Sequence, residues 1–347
     1  MSDALAPPLQ LEDVACPLCG STRRDRALLT RDHEYASTPR MNFTLQRCAD
    51  CQLYYLSPRP ALSELSRIYP PEYLNFHTGD EAPGPLRRLL RKMSVREISN
   101  RLQTGRYRRL LERHDSLGAT RILDVGCGDG YVLNLLRRIL PAAERVGVEV
   151  DAGAAAKASN QHRVVVGDFL SAPIEGTFDL IVSSHVIEHV ADPLGFLRRI
   201  GGLLAPGGVA IIDTPNIETP LFRLLGRHWG GIHSPRHWAL FSARTITALA
   251  ERAGLAVSDV SYLPIQTFWV WSIHSALYDR APRLADRLFH PQACVNKPSL
   301  YATLLMGFLE AMERATGIFD RRLGQMRVVL RRPAPAVSPT SSGPSHS

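Results

Sequence analysis

The chain has 347 residues, 45% of them hydrophobic and 21% charged, with a formal net charge of +8. That length supports more than one domain and a sizeable core, and the composition is that of an ordinary soluble protein rather than a disordered or membrane-embedded one. The first twenty residues carry no apolar run of the kind a secretory leader needs, and the longest uncharged run, 262–278, is too short and too polar for a membrane span. A cytoplasmic location is therefore expected.

In chain order, the first signal is cysteine. Four of the six cysteines are paired, as Cys16-Pro-Leu-Cys19 and Cys48-Ala-Asp-Cys51. Two residues between thiolates let each pair form a knuckle, and two knuckles give the four-sulfur tetrahedron that suits structural Zn²⁺. Disulfides fit a cytosolic chain poorly. A redox C-x-x-C would need a strand–helix setting that is missing here. Residues 1–60 are read as this zinc module and 61–118 as a Pro-containing connector followed by a basic helical segment. Between 87 and 113 stand ten Arg and Lys against Glu97 and Glu112. With leucines at helical spacing, this predicts basic amphipathic helix. It is either a solvated cap on the rest of the fold or a contact for anionic partners: a phosphate-bearing substrate, a membrane face or RNA.

Residues 121–130 read RILDVGCGDG, a buried strand ending at Asp124 that runs into glycines at 126, 128 and 130 and then into a helix from Tyr131. Glycine tolerates positive φ and lets a ligand approach the backbone, and a helix N-terminus favours anionic and polar groups. The dinucleotide fingerprint would need a small residue where Tyr131 stands. Three more strands follow at α/β spacing: 145–151, carrying the acid Glu149; 164–170, with Asp168 and Phe169; and 178–190, ending in the polar turn SSHVIEHV. Acids at such strand ends face one common crevice in an open α/β sheet. A helix over 192–204, a strand over 208–216, a helix from Ser242 to Gly254 and a strand over 255–262 complete a core placed at 119–262. Residues 263–332 are read as a helical extension with a possible last strand at 325–332, and 333–347 as a disordered Pro/Ser tail.

The glycine turn resembles the nucleotide-binding motif of class I S-adenosylmethionine-dependent methyltransferases, whose usual form is LDVGCGxG. The resemblance implies an α/β fold with a Rossmann-like core, a seven-stranded mostly parallel sheet, and S-adenosylmethionine as cofactor. Carried onto this sequence, it implies that Asp124, Gly126, Cys127 (through its backbone), Gly128 and Gly130 form the cofactor turn. It further implies that Glu149 accepts the ribose hydroxyls and that Asp168 reads the adenine amino group with Phe169 packed on the ring. Ser184 and His185 would lie in the turn facing the methyl group. CPLCG followed by RCADCQLYYLSPRP resembles the zinc-ribbon head of a subset of bacterial methyltransferases. That head usually has Gly where Gln52 stands, so coordination should survive with a less tight turn.

Methyl transfer from a sulfonium is an in-line displacement, helped by a general base when the nucleophile is a hydroxyl. His185 and His189 stand four residues apart with Glu188 between them, and the Glu188-His189 step resembles an acid–histidine pair of some quinone-type O-methyltransferases, which in a few related enzymes binds a divalent metal. They are read either as catalytic or metal-binding groups or as locally satisfied side chains. The segment 227–242, which also carries His228, contains over 229–242 a W-x5-P-R-H-x3-F-S pattern that resembles a loop closing over the acceptor in the same methyltransferase subset. Trp229, Trp238 and Phe241 are candidate walls, Arg236 a candidate partner for phosphate or carboxylate, and His233, His237 and His189 candidate bases, against the plain alternative of a structural loop. The expected function is methyl transfer to a small or carrier-linked acceptor, by preference a hydroxyl or carbon of a sugar or secondary metabolite. The alternatives are an RNA methyltransferase that grips nucleic acid with the zinc head and basic helix, and a non-catalytic binding protein on a relict fold. No N-P-P-[YF] motif follows the fourth strand, which weighs against base methylation of RNA.

Overall fold

A computed structural model describes residues 7–35, 38, 41–69, 95–296, 299–320 and 322–333. The basic stretch 87–94 and most of the 61–85 connector lie outside the described residues. The N-terminal strands are β1 (Leu11–Glu12), β2 (Arg24–Thr30), β3 (Phe43–Cys48), β4 (Tyr54–Leu56) and β5 (Arg59–Pro60), followed by the short helix α1 (Leu65–Ile68) and the long helix α2 (Val95–Arg113). Then come β6 (Arg121–Val125), α3 (Tyr131–Ile139), β7 (Glu144–Glu149), α4 (Ala152–Ser159), β8 (Arg163–Val166), β9 (Phe178–Ser184), α5 (Pro193–Leu203) and β10 (Leu204–Pro215). The chain continues through α6 (Pro220–Leu225), β11 (Ala239–Leu240), α7 (Ala243–Arg252), β12 (Ala256–Leu263), α8 (Gln266–Tyr278), α9 (Pro282–Phe289), α10 (Pro291–Asn296), α11 (Leu300–Phe319) and β13 (Gln325–Arg331).

Seven strands form the central sheet in the order β12-β13-β10-β9-β6-β7-β8. Strands β6 to β10 are parallel, and β13 runs antiparallel to both its neighbours. The parallel strands are apolar on both faces because helices cover both. Alternate residues sort accordingly. Leu123, Val125, Ile181 and Ile212 join the layer holding Phe196, Leu197 and Ile200 of α5 and Ile246 and Leu249 of α7. Ile122, Leu180, Val182 and Ile211 join the layer holding Leu110 and Leu111 of α2 and Leu135, Leu136 and Ile139 of α3. The last turns of α2 are thus a structural cap on the sheet. From β6 the chain winds outward to β7 and β8, then returns to place β9 on the other side of β6. The turns after β6 and β9 meet at this reversal, where open α/β sheets bind ligands.

The N-terminal module carries its own sheet, in the order β11-β4-β3-β2. One edge strand of that sheet, β11, comes from the later half of the chain, between α6 and α7. Ala239 pairs with Tyr55 and Leu240 with Tyr54, and the Leu56 amide donates to the Trp238 carbonyl at 2.9 Å. No helix among the described residues is long and apolar enough to cross a membrane.

Candidate functional site

The turn after β6 is built as a tight cradle. Gly126, Gly128 and Gly130 all have positive φ, at 73°, 55° and 87°, and a Cβ on Gly126 would collide with the Val186 side chain from the neighbouring turn. The amides of Gly126 and Cys127 both donate to the Val148 carbonyl, at 2.8 and 3.1 Å. The backbone N–H of Cys127, expected to serve the cofactor, is therefore spent on holding the turn against β7. Its thiol is buried beside Gly147.

Glu149 ends β7 and turns back over the cradle. Its Oε2 accepts from the Gly128 amide at 2.8 Å and its Oε1 from the Asp151 amide at 2.9 Å. Each oxygen keeps a lone pair, so the carboxylate can accept two hydroxyls as well. Asp124 lies beneath, 1% exposed, and its Oδ2 finds no partner among the described residues. Burial, reinforced by the Glu149 charge, pushes its carboxyl up to about 8. The sign of the consequence is fixed. A carboxyl with a folded-state value above its unfolded one holds a proton the unfolded chain has lost, so its contribution to stability falls as pH rises from 4 to 8. Asp124→Asn should therefore flatten that decline in the ligand-free protein, and thermal melts of both proteins between pH 5 and 8 check this.

Asp168 is exposed after β8, its Oδ1 accepting from the Leu170 amide at 3.1 Å. Phe169, expected to pack on an adenine ring, instead points inward. Its ring meets Phe196 edge-on at 5.1 Å, with the Arg199 guanidinium over it at 5.3 Å. The core of α5 claims that ring because it is the larger apolar surface within reach.

Across the cradle, Ser184 is the half-buried last residue of β9, and His185 adopts a positive φ of 55°. Its amide donates to the Asp213 carbonyl at 2.8 Å and its Nδ1 lies 3.0 Å from Glu188 Oε1. Glu188 is completely buried and accepts from the Thr214 hydroxyl at 2.9 Å through Oε2. Burial opposes its charge, but the hydrogen bond and charge of His185 outweigh this and hold the carboxyl below its usual range. Sequence reasoning read Glu188 only as the acid of a pair with His189; its bonds to His185 and Thr214 were not legible there.

Three histidines cluster edge to face beyond it. The ring of His237 lies 4.7 Å from that of His189 and 5.0 Å from that of His233. His189 donates from Nδ1 to the Arg236 carbonyl at 3.1 Å, beside the Tyr69 hydroxyl at 2.9 Å. His237 donates from Nδ1 to the Gly231 carbonyl at 2.8 Å. Burial lowers both, His189 to about 4 and His237 well below its normal value, so both rings are neutral near pH 7. Glu188, His189 and His237 each bring one metal-capable atom within 4.8 Å of the others.

Two expectations for the 229–242 loop fail. Arg236 does not await an acceptor. It is fully buried, with Nη2 2.6 Å from Asp32 Oδ2, Nε 2.7 Å from the Ile68 carbonyl, and the guanidinium 4.3 Å over the Tyr35 ring. Phe241 is not a cavity wall. Trp238 lies under Arg59 with its Nε1 donating to Pro235, and Phe241 lies in the main core. Trp229 and Trp238 line two separate clefts, Trp238 beside Arg59, Tyr55 and Val190. Asp32 and Glu34, which grip Arg236 and His233, were not read as functional. They act across some two hundred residues of sequence, and no local pattern announces such a pairing.

The four paired cysteines come together. Sγ of Cys16 lies 3.4 Å from that of Cys51, Sγ of Cys19 lies 3.5 Å from that of Cys48, and all four fall within 4.8 Å of one another. Zn–S bonds of about 2.3 Å put tetrahedral sulfurs about 3.8 Å apart, so the set fits that ion. The two knuckles match. Gly20 and Gln52 have φ of 79° and 71°, and their amides donate to Cys16 and Cys48 carbonyls at 2.8 and 3.1 Å. Gln52 thus adopts the same left-handed turn as Gly20, with a slightly longer hydrogen bond and at the expense of a left-handed backbone for a residue with a Cβ. Gln52→Gly should raise stability by about 0.5–1 kcal/mol, measurable by denaturant titration.

The methyltransferase-domain family model matches residues 86–260, half of the chain. The chain belongs to this family. It is 33% identical over 170 residues to a ubiquinone biosynthesis O-methyltransferase of Parvibaculum lavamentivorans, a match covering 43% of this chain and 65% of the relative. It is 33% identical over 127 residues to an uncharacterized methyltransferase of Mycobacterium bovis, covering 34% of this chain and 64% of that one. The chain thus spans a little under two thirds of these curated relatives. A solved S-adenosylmethionine-dependent methyltransferase of Clostridium acetobutylicum aligns at a TM-score of 0.41 and 12% identity, over 65% of this chain and 89% of its own.

Proposed function

We propose that the protein is an S-adenosylmethionine-dependent methyltransferase acting on a small or carrier-linked acceptor, by preference at an oxygen. One observation carries the reading: the cradle with Asp124 and Glu149 faces the buried Glu188–histidine cluster at the reversal point of the sheet. The residues present fit the cofactor. The glycines admit it closely, Glu149 has lone pairs for a diol, and Asp124 Oδ2, unpartnered among the described residues, awaits a donor or cation. When bound, the cofactor supplies an electrophilic methyl group on a sulfonium. The chain's own part is to align and deprotonate. His237, neutral and locked by its Nδ1–H bond to Gly231, offers Nε2 to an acceptor hydroxyl proton. Glu188, pinned by Thr214, orients His185 beside the cradle. We further propose that Cys16, Cys19, Cys48 and Cys51 hold Zn²⁺, which organises the ribbon and stands apart from the reaction.

Binding of S-adenosylhomocysteine, the demethylated cofactor, tests this by calorimetry. Wild type should bind it, and Glu149→Ala should lose about 2–3 kcal/mol, the worth of charge-assisted hydrogen bonds to a diol. No binding by the wild type would refute the reading, and an unchanged Glu149→Ala would mean the site lies elsewhere.

A further inference from the structure

A cleft of about 410 Å³, counted out to the solvent at its mouth, opens between the β2–β3 connection of the ribbon, the 227–234 segment and α8. It shares His233 with the histidine cluster. Its inner wall holds two groups without partners among the described residues. The Glu34 side chain is 4% exposed and its Oε2 lies 3.0 Å from His233 Nε2, while Oε1 finds no donor. Trp229 is 1% exposed and its Nε1 finds no acceptor. The indole of Trp271 lies over His233 at 5.4 Å and 32° and adds a flat apolar wall. At the rim Arg31 and Arg227 are each more than half exposed, and each is 3.7 Å from the same carboxylate, that of Asp279. One acid between two guanidinium groups leaves the rim positive.

These groups set the ligand's chemistry. A buried carboxylate oxygen lacking a donor calls for a hydroxyl, and a buried indole N–H calls for an acceptor. An indole face suits the C–H face of a ring, and paired guanidinium groups suit phosphate. We propose that this cleft is the acceptor's recognition subsite and that it takes a phosphate-linked sugar, with a hydroxyl on Glu34 and the phosphate between Arg31 and Arg227. The proposal rests on the methyl-transfer reading and assigns the ribbon a task within it. The metal-organised module supplies Arg31 and Glu34, half of the subsite, while the cofactor cradle belongs wholly to the central sheet.

The test is titration of UDP-glucose, dTDP-glucose and GDP-mannose into the full chain saturated with S-adenosylhomocysteine, read by calorimetry and by tryptophan fluorescence. At least one should bind and quench. For that sugar, Glu34→Gln should weaken binding about tenfold or more, while the free nucleotide is little affected. The double variant Arg31→Ala, Arg227→Ala, both at the exposed rim, should weaken sugar nucleotide and free nucleotide alike, by about tenfold or more. The matching sugar 1-phosphate distinguishes a nucleotide carrier from a simpler one; retained binding there still supports the subsite and points away from the nucleotide. Affinity for S-adenosylhomocysteine should stay within about twofold throughout. The proposal is overturned if none of the three binds at millimolar concentration, or if binding ignores both variants. It is equally overturned if 3,4-dihydroxybenzoate, an aromatic acid that offers the same hydroxyl and anion, binds in preference. Loss of S-adenosylhomocysteine binding by the wild type would instead remove the methyl-transfer reading beneath it.

Discussion

Replacing Cys48 by Ser, or stripping metal with a strong chelator, is expected to unfold the N-terminal module and lower the melting temperature of the whole protein. Cys48 is fully buried at the end of β3, and Leu18, Leu53 and Tyr55 of the same module sit in the main hydrophobic cluster with β6, β9 and α7 residues. A module of about sixty residues is marginally stable on its own core, so a metal staple matters. Zinc bound to four thiolates contributes folding free energy directly, on the order of 10 kcal/mol or more in small zinc modules. Metal content by mass spectrometry and melts before and after chelation check the expectation. An unchanged melt after complete metal loss would reject a structural ion.

The second large effect is expected at Asp32. Its side chain is 3% exposed and its partner Arg236 is fully buried. Burial alone would raise the Asp32 carboxyl, but the charge and hydrogen bond of Arg236 prevail and hold it below its normal range. Asp32→Ala leaves a guanidinium buried without its counter-charge, and breaking such a pair typically costs about 3–5 kcal/mol. Asp32→Ala combined with Arg236→Met should cost less than Asp32→Ala alone, because the stranded charge is gone. Denaturant titration of the three proteins decides it. The pH behaviour is opposite to that of Asp124. A depressed carboxyl stabilises above its unfolded value and loses that contribution as pH falls.

Much of the central sheet was legible because its signals are local. Strand, glycine turn and helix follow within twenty residues at 121–139, and Glu149 stands at the next strand end. The cysteine knuckles were legible for the same reason: two residues of spacing dictate the turn whatever lies between the pairs. The acceptor side was not. The loop 229–242 reads as a row of aromatic and cationic residues, any of which could face a ligand. Which ones do is decided by partners two hundred residues away, where Asp32 takes Arg236 and Arg59 covers Trp238. Phe169 shows the same limit at closer range, since nothing in GDFL reveals that Phe196 competes for its ring.

The strand β11 lies between α6 and α7 in the chain yet completes the sheet of the N-terminal module. Anyone moving this head onto another catalytic body would have to cut in two places, carrying the stretch from Trp229 to Phe241 along with the first sixty-nine residues. Deleting the head alone would strip β11 of its neighbour and leave the hydrogen-bonding edge of Ala239 and Leu240 open to pairing with other chains. A gained or lost ribbon must arrive or depart together with the histidine loop it holds in place.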